Sequence, residues 1–218
     1  MSCSSALDNF IQRYLKAYDN ALSELPRYYP LGEASPCIEG EQELTHDTAV
    51  FWQPVKRQNS GGFDNVAQAL EMTLHDDINA FFGRYYCAPL SFDSEWGEGE
   101  LLQAWNQQDF EYLQQNIIGH LMMKQKLKQP ATWFIGVIAD GDQMITVDNE
   151  TGSVWLEIPG DKPKTQLAES LADFLPKLNV VVKPAIMPQA EQDVIASHPG
   201  IWQRIKGMWA SLMGHNKF

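Results

Sequence analysis

Catalytic signatures are missing from this sequence. It carries no phosphate-binding P-loop, no GxGxxG dinucleotide fingerprint, no HExxH zinc motif and no GxSxG nucleophile elbow. Cysteine is scarce: Cys3, Cys37 and Cys87 are odd in number and no two form a CxxC pair. That argues against a disulfide framework and a thiolate zinc site, and it suits a reducing compartment. Long apolar runs are missing too. No stretch approaches the roughly 20 residues that span a bilayer. Residues 6–15 are amphipathic, with Asp8 and Arg13, and do not read as a secretory signal. The expectation is a cytosolic chain with no metal and no cofactor.

Basic residues are the other shortage, and it is a local one. Residues 1–112 hold 18 Asp and Glu against 6 Lys and Arg, whereas residues 113–218 hold 10 of each. The net charge of −12 therefore belongs to the first half. Within residues 64–111, ten acidic side chains face one basic residue, Arg84. Such a field disfavours nucleic acid and anionic lipid, which are polyanions. It favours a basic partner and speeds its association at low salt. The plainer alternative is a solvated acidic surface that keeps the chain soluble.

What is present suffices for one domain and a tail: 218 residues, of which 44% are apolar. Residues 6–25 read as a helix, with Phe10, Tyr14, Tyr18 and Leu22 at helical spacing and Pro26 as the stop. Cys37-Ile38 and Ala49-Val50-Phe51-Trp52 read as short strands. Asp64 is placed as the cap of a second helix with Val66, Leu70 and Leu74 as its stripe, and residues 77–85 as a further helical piece. Residues 90–92 and 100–105 read as strands. Residues 108–126 form a long helix burying Phe110, Leu113, Ile117, His120 and Leu121. Lys124, Lys126 and Lys128 fall at its C-terminal end, where cations suit the helix dipole. Residues 132–139, 144–147 and 153–158 form a three-strand meander, its first turn at Asp140-Gly141-Asp142. Residues 166–175 read as a helix and 179–182 as a last strand. Helices and hairpins in separate runs predict an α+β fold, with helices packed on one mostly antiparallel sheet.

After Pro184 the pattern changes. Residues 201–213 read as an amphipathic helix with Trp202 and Trp209, and from Pro199 onward the charged side chains are Arg204, Lys206 and Lys217. Such a segment suits a membrane interface or a partner groove; docking back on its own domain, or on a second copy, is the preferred alternative. The expected division is residues 1–183 as the domain and 184–218 as an extension.

Four local groups have residue types that can carry chemistry. His75-Asp76-Asp77 is a polar break between helical pieces, because adjacent helical residues diverge and do not converge on one ion. Asp140-Gly141-Asp142 lacks the remaining ligands of a calcium loop and reads as a turn. His120 reads as a satisfied core histidine. Asp93, Glu95, Glu98 and Glu100 include possible acid and base pairs, yet no histidine or cysteine nucleophile is near them in sequence, so a binding patch is favoured over a glycosidase site.

Several segments resemble the Syd family of SecY-interacting proteins. They are Ser35-Pro36-Cys37-Ile38, Ala49-Val50-Phe51-Trp52-Gln53-Pro54, Leu101-Leu102-Gln103-Ala104-Trp105, Asp109-Phe110, Gln115-Asn116-Ile117-Ile118-Gly119-His120-Leu121, the lysine run at 124–128, Pro130, and Thr132-Trp133-Phe134-Ile135. They occur in order and at fitting spacing, and the likeness spans residues 6–182. The resemblance implies a SUKH-like fold and a peripheral protein on the cytoplasmic face of the inner membrane. It implies binding to SecY, the translocase channel subunit, through an acidic surface that engages basic cytosolic loops, and a role in checking or restraining uncomplexed SecY. Charge clustering, not a family motif, nominates Asp64, Glu71, Asp76, Asp77, Asp93, Glu95, Glu98, Glu100 and Asp109 as the contact residues. The rivals are an immunity-type protein neutralising a basic toxin and a hydrolase built on the carboxylates of residues 93–100. The extension after residue 183 has no counterpart in the short family pattern.

Overall fold

The computed structural model describes residues 1–59, 61–138 and 143–185. The Asp140-Gly141-Asp142 turn and the helix expected around Trp202 and Trp209 lie outside the described residues.

Helix α1 (Cys3–Leu22) begins where the Ser2 side chain accepts the Ser5 N–H, and it buries Phe10, Tyr14 and Tyr18 along one stripe. It stops before Pro26, because Ser23 turns left-handed (φ 53°) and returns its N–H to Asp19. Strands β1 (Arg27–Tyr28) and β2 (Val50–Phe51) pair antiparallel. Cys37-Ile38 is not a strand; Ile38 makes one isolated bridge to Trp52. β3 (Val55–Lys56) precedes α2 (Asp64–Ala69) and α3 (Asp77–Phe82), and pairs with β4 (Tyr85–Tyr86). Asp64 does not cap α2: Phe63 holds the cap position, and Asp64 is the first helical residue. Of the expected stripe only Val66 is buried within α2. α3 ends at Phe82, because Tyr85 and Tyr86 are drawn into the ladder with β3.

Strands β5 (Leu90–Asp93) and β6 (Gly99–Leu101) form a hairpin, followed by α4 (Gln107–Lys126). β7 (Thr132–Ile138), β8 (Gln143–Asp148) and β9 (Val154–Glu157) are the expected meander. β10 (Thr165–Ala168), α5 (Leu171–Phe174), a 3₁₀ turn and β11 (Asn179–Val180) close the described fold. One antiparallel sheet runs β10-β9-β8-β7-β6-β5-β11, so the chain is α+β as expected. α1 packs against α3 and α5, and α4 lies on β7.

Residues 166–175 are not one helix. Gln166 pairs with Trp155 as sheet, and Ser170 then caps the short α5. Lys124 falls in the last turn of α4, as expected, but inside the protein. It is 0% exposed, and its Nζ donates to Glu157 Oε1 at 2.8 Å and to the Asp161 carbonyl at 3.2 Å. Thr132 and Thr146 donate to Glu157 Oε2 at 2.9 and 3.1 Å, and His120 Nε2 lies 3.0 Å from Thr132 Oγ1. His120 is the core histidine that its place on α4 implied.

The α3–β4 corner has little tolerance. Gly83 N–H donates to Asn79, and its carbonyl accepts the Gly61 N–H at 3.0 Å. A Cβ at Gly83 would collide with the Gly61 carbonyl, which is backbone and cannot rotate away. Gly83→Ala is expected to lower stability by about 2–3 kcal/mol, read as a fall in the urea midpoint. A midpoint equal to wild type would show that the two backbone segments separate easily.

Candidate partner-binding surface

Strand alternation builds the first part of the surface. Leu90, Phe92 and Leu101 turn into the core, so Ser91, Asp93 and Glu100 project from the opposite face of the β5–β6 hairpin. Ser91 and Glu100 are direct cross-strand partners, with Ser91 Oγ 3.5 Å from Glu100 Oε1. The turn between the strands is fixed from within. Ser94 Oγ donates to the Gly97 carbonyl at 2.9 Å, and Gly97 takes φ 111°, a conformation that favours glycine. Trp96 stacks on Phe174 at 5.8 Å, with Lys177 Nζ 5.6 Å from its ring. Asp93, Glu95 and Glu98 are exposed on this anchored turn. Glu98 pairs with Lys183 at 2.6 Å; among the described residues Asp93, Glu95 and Glu100 have no ion-pair partner.

Arg84, the one cation of the acidic segment, does not neutralise this hairpin. Its guanidinium grips the Asp8 carboxylate of α1 through Nε at 2.6 Å and Nη2 at 2.5 Å. That hydrogen bond holds Asp8 below the ordinary carboxylate range.

The second acidic group gathers elsewhere. Asp64 and Glu71 are exposed around α2, and Asp76 and Asp77 open α3. Burial raises the Asp77 pKa, against the opposing pull of His75, and Asp76 adds to the rise. His75 Nδ1 accepts the Asp77 N–H at 3.2 Å. The His75 N–H donates to Asn149 Oδ1 at 3.0 Å, and Asn149 Nδ2 donates to the Thr73 carbonyl at 2.8 Å. These bonds fasten the group to the β8–β9 turn, which brings Asp148 and Glu150 near it. Neither was nominated from sequence; the gap between the strands read at residues 144–147 and 153–158 is plain in the sequence, but its tertiary neighbour is not.

The two groups sit at opposite ends of the sheet. Gly99 pairs with Ile138 at the end of β7, while Asp148 pairs with Thr132 at its start. Six residue steps separate those ends, about 20 Å at strand rise. The run of charge in residues 64–111 is thus divided by the fold.

Asp109 belongs to neither group. It is 5% exposed, and its Oδ2 accepts the Trp105 N–H at 2.8 Å while its own N–H donates to the Asn106 side chain at 2.9 Å. It is a capping residue of α4 and cannot serve as an exposed contact. Its charge is still felt: burial pushes the Tyr28 hydroxyl up, and Asp109, Glu33 and Glu100 push in the same direction.

Among the described residues no helix is long and apolar enough to cross a membrane. The model of the Syd protein family (SUKH-2) matches residues 4–179. Protein Syd of Shewanella denitrificans is 63% identical over 212 residues, covering 97% of each chain. Protein Syd of Shewanella frigidimarina is 62% identical over 213 residues, with 98% of this chain and 99% of the relative covered. Protein Syd of Shewanella loihica is 60% identical, with the same coverage. These alignments take in most of the segment after residue 184, so the extension is common to these relatives. With its α+β architecture and matches along nearly its whole length, the chain belongs to the Syd family.

Proposed function

We propose that this chain is a non-enzymatic binding protein for SecY, held on the cytoplasmic face of the inner membrane through that partner. It recognises basic cytosolic loops with exposed carboxylates and checks or restrains SecY that lacks its normal partners. The observation that carries this reading is the β5–β6 hairpin, where Glu95 and Glu98 lie on an anchored turn, Asp93 and Glu100 on the strands beside it, and Lys183 is the cation paired there. Cytoplasmic loops of membrane proteins are rich in Lys and Arg, so the charges are complementary. Glu71, Asp76 and Asp77, with Asp64, form a second face about 20 Å away, suited to a second loop or to solubility. Residues 1–183 form the binding unit in this reading, and residues 184–218 an extension of it.

The test is titration of the purified protein with detergent-solubilised SecYEG at low and high salt. Asp93→Lys/Glu95→Lys/Glu98→Lys is expected to weaken binding at low salt by about tenfold or more, and high salt should erase much of the difference. Unchanged affinity would remove the hairpin from the interface and leave the Glu71–Asp77 end. Failure of the wild-type protein to bind SecY at either salt would sink the reading and bring forward neutralisation of a basic toxin.

A further inference from the structure

The lysines of the second half of the chain gather at one corner. Lys126, Leu127 and Lys128 are exposed at the end of α4, where Lys128 turns the chain with φ 54°. The loop between β9 and β10, residues 158–164, is tied to this end. Gln129 Nε2 donates to the Gly160 carbonyl at 2.8 Å, and Lys124 Nζ to the Asp161 carbonyl at 3.2 Å. The loop exposes Lys162 and Lys164, and its one acid, Asp161, is held by Lys164 at 2.8 Å. Among the described residues Lys126, Lys128 and Lys162 make no ion pair with an acidic side chain. Large apolar side chains stand among them: Met122 is 56% exposed, Leu127 46% and Ile158 41%. Met122 and Lys126, four residues apart on α4, share a face. Glu150, on the turn whose Asn149 N–H reaches the Ala131 carbonyl, marks the acidic edge of the corner.

We propose that Lys126, Leu127, Lys128, Ile158, Lys162 and Lys164 form a docking surface for an anionic lipid bilayer. The charge is complementary to a layer of anionic headgroups, and the exposed aliphatic chains suit insertion at the headgroup boundary. Lysine is a point charge without the planar fork of arginine, and no aromatic stacking platform is among the six residues. The surface therefore suits a diffuse anionic plane better than nucleic acid. The inference does not rest on SecY binding, because the hairpin and the lysine corner use different residues.

The experiment is co-sedimentation of the full chain at low salt with vesicles of about 30% phosphatidylglycerol in phosphatidylcholine, and with phosphatidylcholine alone. The wild-type protein is expected to pellet with the anionic vesicles and not with the neutral ones. Lys126→Gln/Lys128→Gln/Lys162→Gln should cut partition by about tenfold or more with an unchanged melting curve, and Leu127→Ser/Ile158→Ser should weaken it with no change of charge. The proposal is overturned if the wild-type protein stays in solution. It is also overturned if the triple variant pellets like wild type, which would move the contact to the segment of Trp202 and Trp209. Lysine-dependent binding to a short DNA duplex at least as tight as to the vesicles would overturn it as well.

Discussion

Replacing Lys124 with methionine is expected to lower the unfolding free energy by about 3–5 kcal/mol. The ammonium and the Glu157 carboxylate are both fully buried, 2.8 Å apart, where α4 crosses the sheet. Removing the cation leaves a buried carboxylate with, among the described residues, only the Thr132 and Thr146 hydroxyls as donors. Two neutral donors do not replace water around a charge. Glu157→Leu strands the ammonium in the same way, leaving it the Asp161 carbonyl as an acceptor. Lys124→Met/Glu157→Leu removes both desolvation costs and should recover a large part of the loss. Recovery will be partial, because each hydroxyl left without its acceptor costs about 1–3 kcal/mol. Urea denaturation of the two single variants and the double variant measures all three terms. If Lys124→Met unfolds within about 1 kcal/mol of wild type, the ammonium reaches water and the buried-pair account fails.

This pair marks where the sequence stops being legible. The helix periodicity of residues 108–126 correctly gave α4 and its buried face. The dipole argument grouped Lys124 with Lys126 and Lys128 at the helix end and did not distinguish which of them is buried, since three cations there satisfy it equally. Glu157 lies 33 residues further on, in another strand, and no local pattern names it as the partner. The same limit explains residues 166–175. Leu167, Leu171 and Phe174 are spaced by four and three, which reads as one helical stripe, and all three are indeed buried. What makes Gln166 and its neighbours a strand is the free edge of β9, a tertiary fact. Strands β1 to β4 are two residues each, too short to carry any period.

Charge was legible as a quantity and not as a shape. The acidic excess of residues 64–111 and the shortage of cations in it were plain. That the excess splits between the β5–β6 turn and the α2–α3 end follows from the register of β6 on β7, which composition does not contain. Asp109 carried a local warning. Asn106 three residues before it is the spacing of a helix cap, and the structure uses both side chains that way. The lysine corner was overlooked for a different reason. Lys126 and Lys128 balance on paper against acids of the same half, and only the bonds from Gln129 and Lys124 to the loop at 160–161 bring Lys162 and Lys164 beside them.

His120 should make the fold weaken as the solution turns mildly acidic, and the sign follows from its surroundings. Burial, with the Lys124 ammonium adding to it, holds the His120 pKa down to about 3. The Thr132 hydroxyl has one proton and gives it to Glu157, so His120 Nε2 donates to Thr132 Oγ1 and the ring sits as the neutral Nε2–H form. An unfolded histidine titrates near 6.5, so above that pH both states are neutral and the stability is fully present. Below it the unfolded chain binds a proton that the folded chain refuses, and stability falls by about 1.4 kcal/mol per pH unit. The loss continues until the folded ring protonates, reaching on the order of 4 kcal/mol at the acid end of that window. Between pH 6.5 and about 5 ordinary carboxylates remain ionised, so the slope there isolates histidine. Unfolding free energies from urea titrations at pH 7, 6 and 5 are expected to decline for wild type, by about 2 kcal/mol at pH 5. They should stay nearly level for His120→Gln, whose amide can still donate to Thr132 without titrating. Parallel curves for the two proteins would mean that the ring accepts a proton in the folded state, which a site lined by Phe134 and shared with a buried ammonium does not permit.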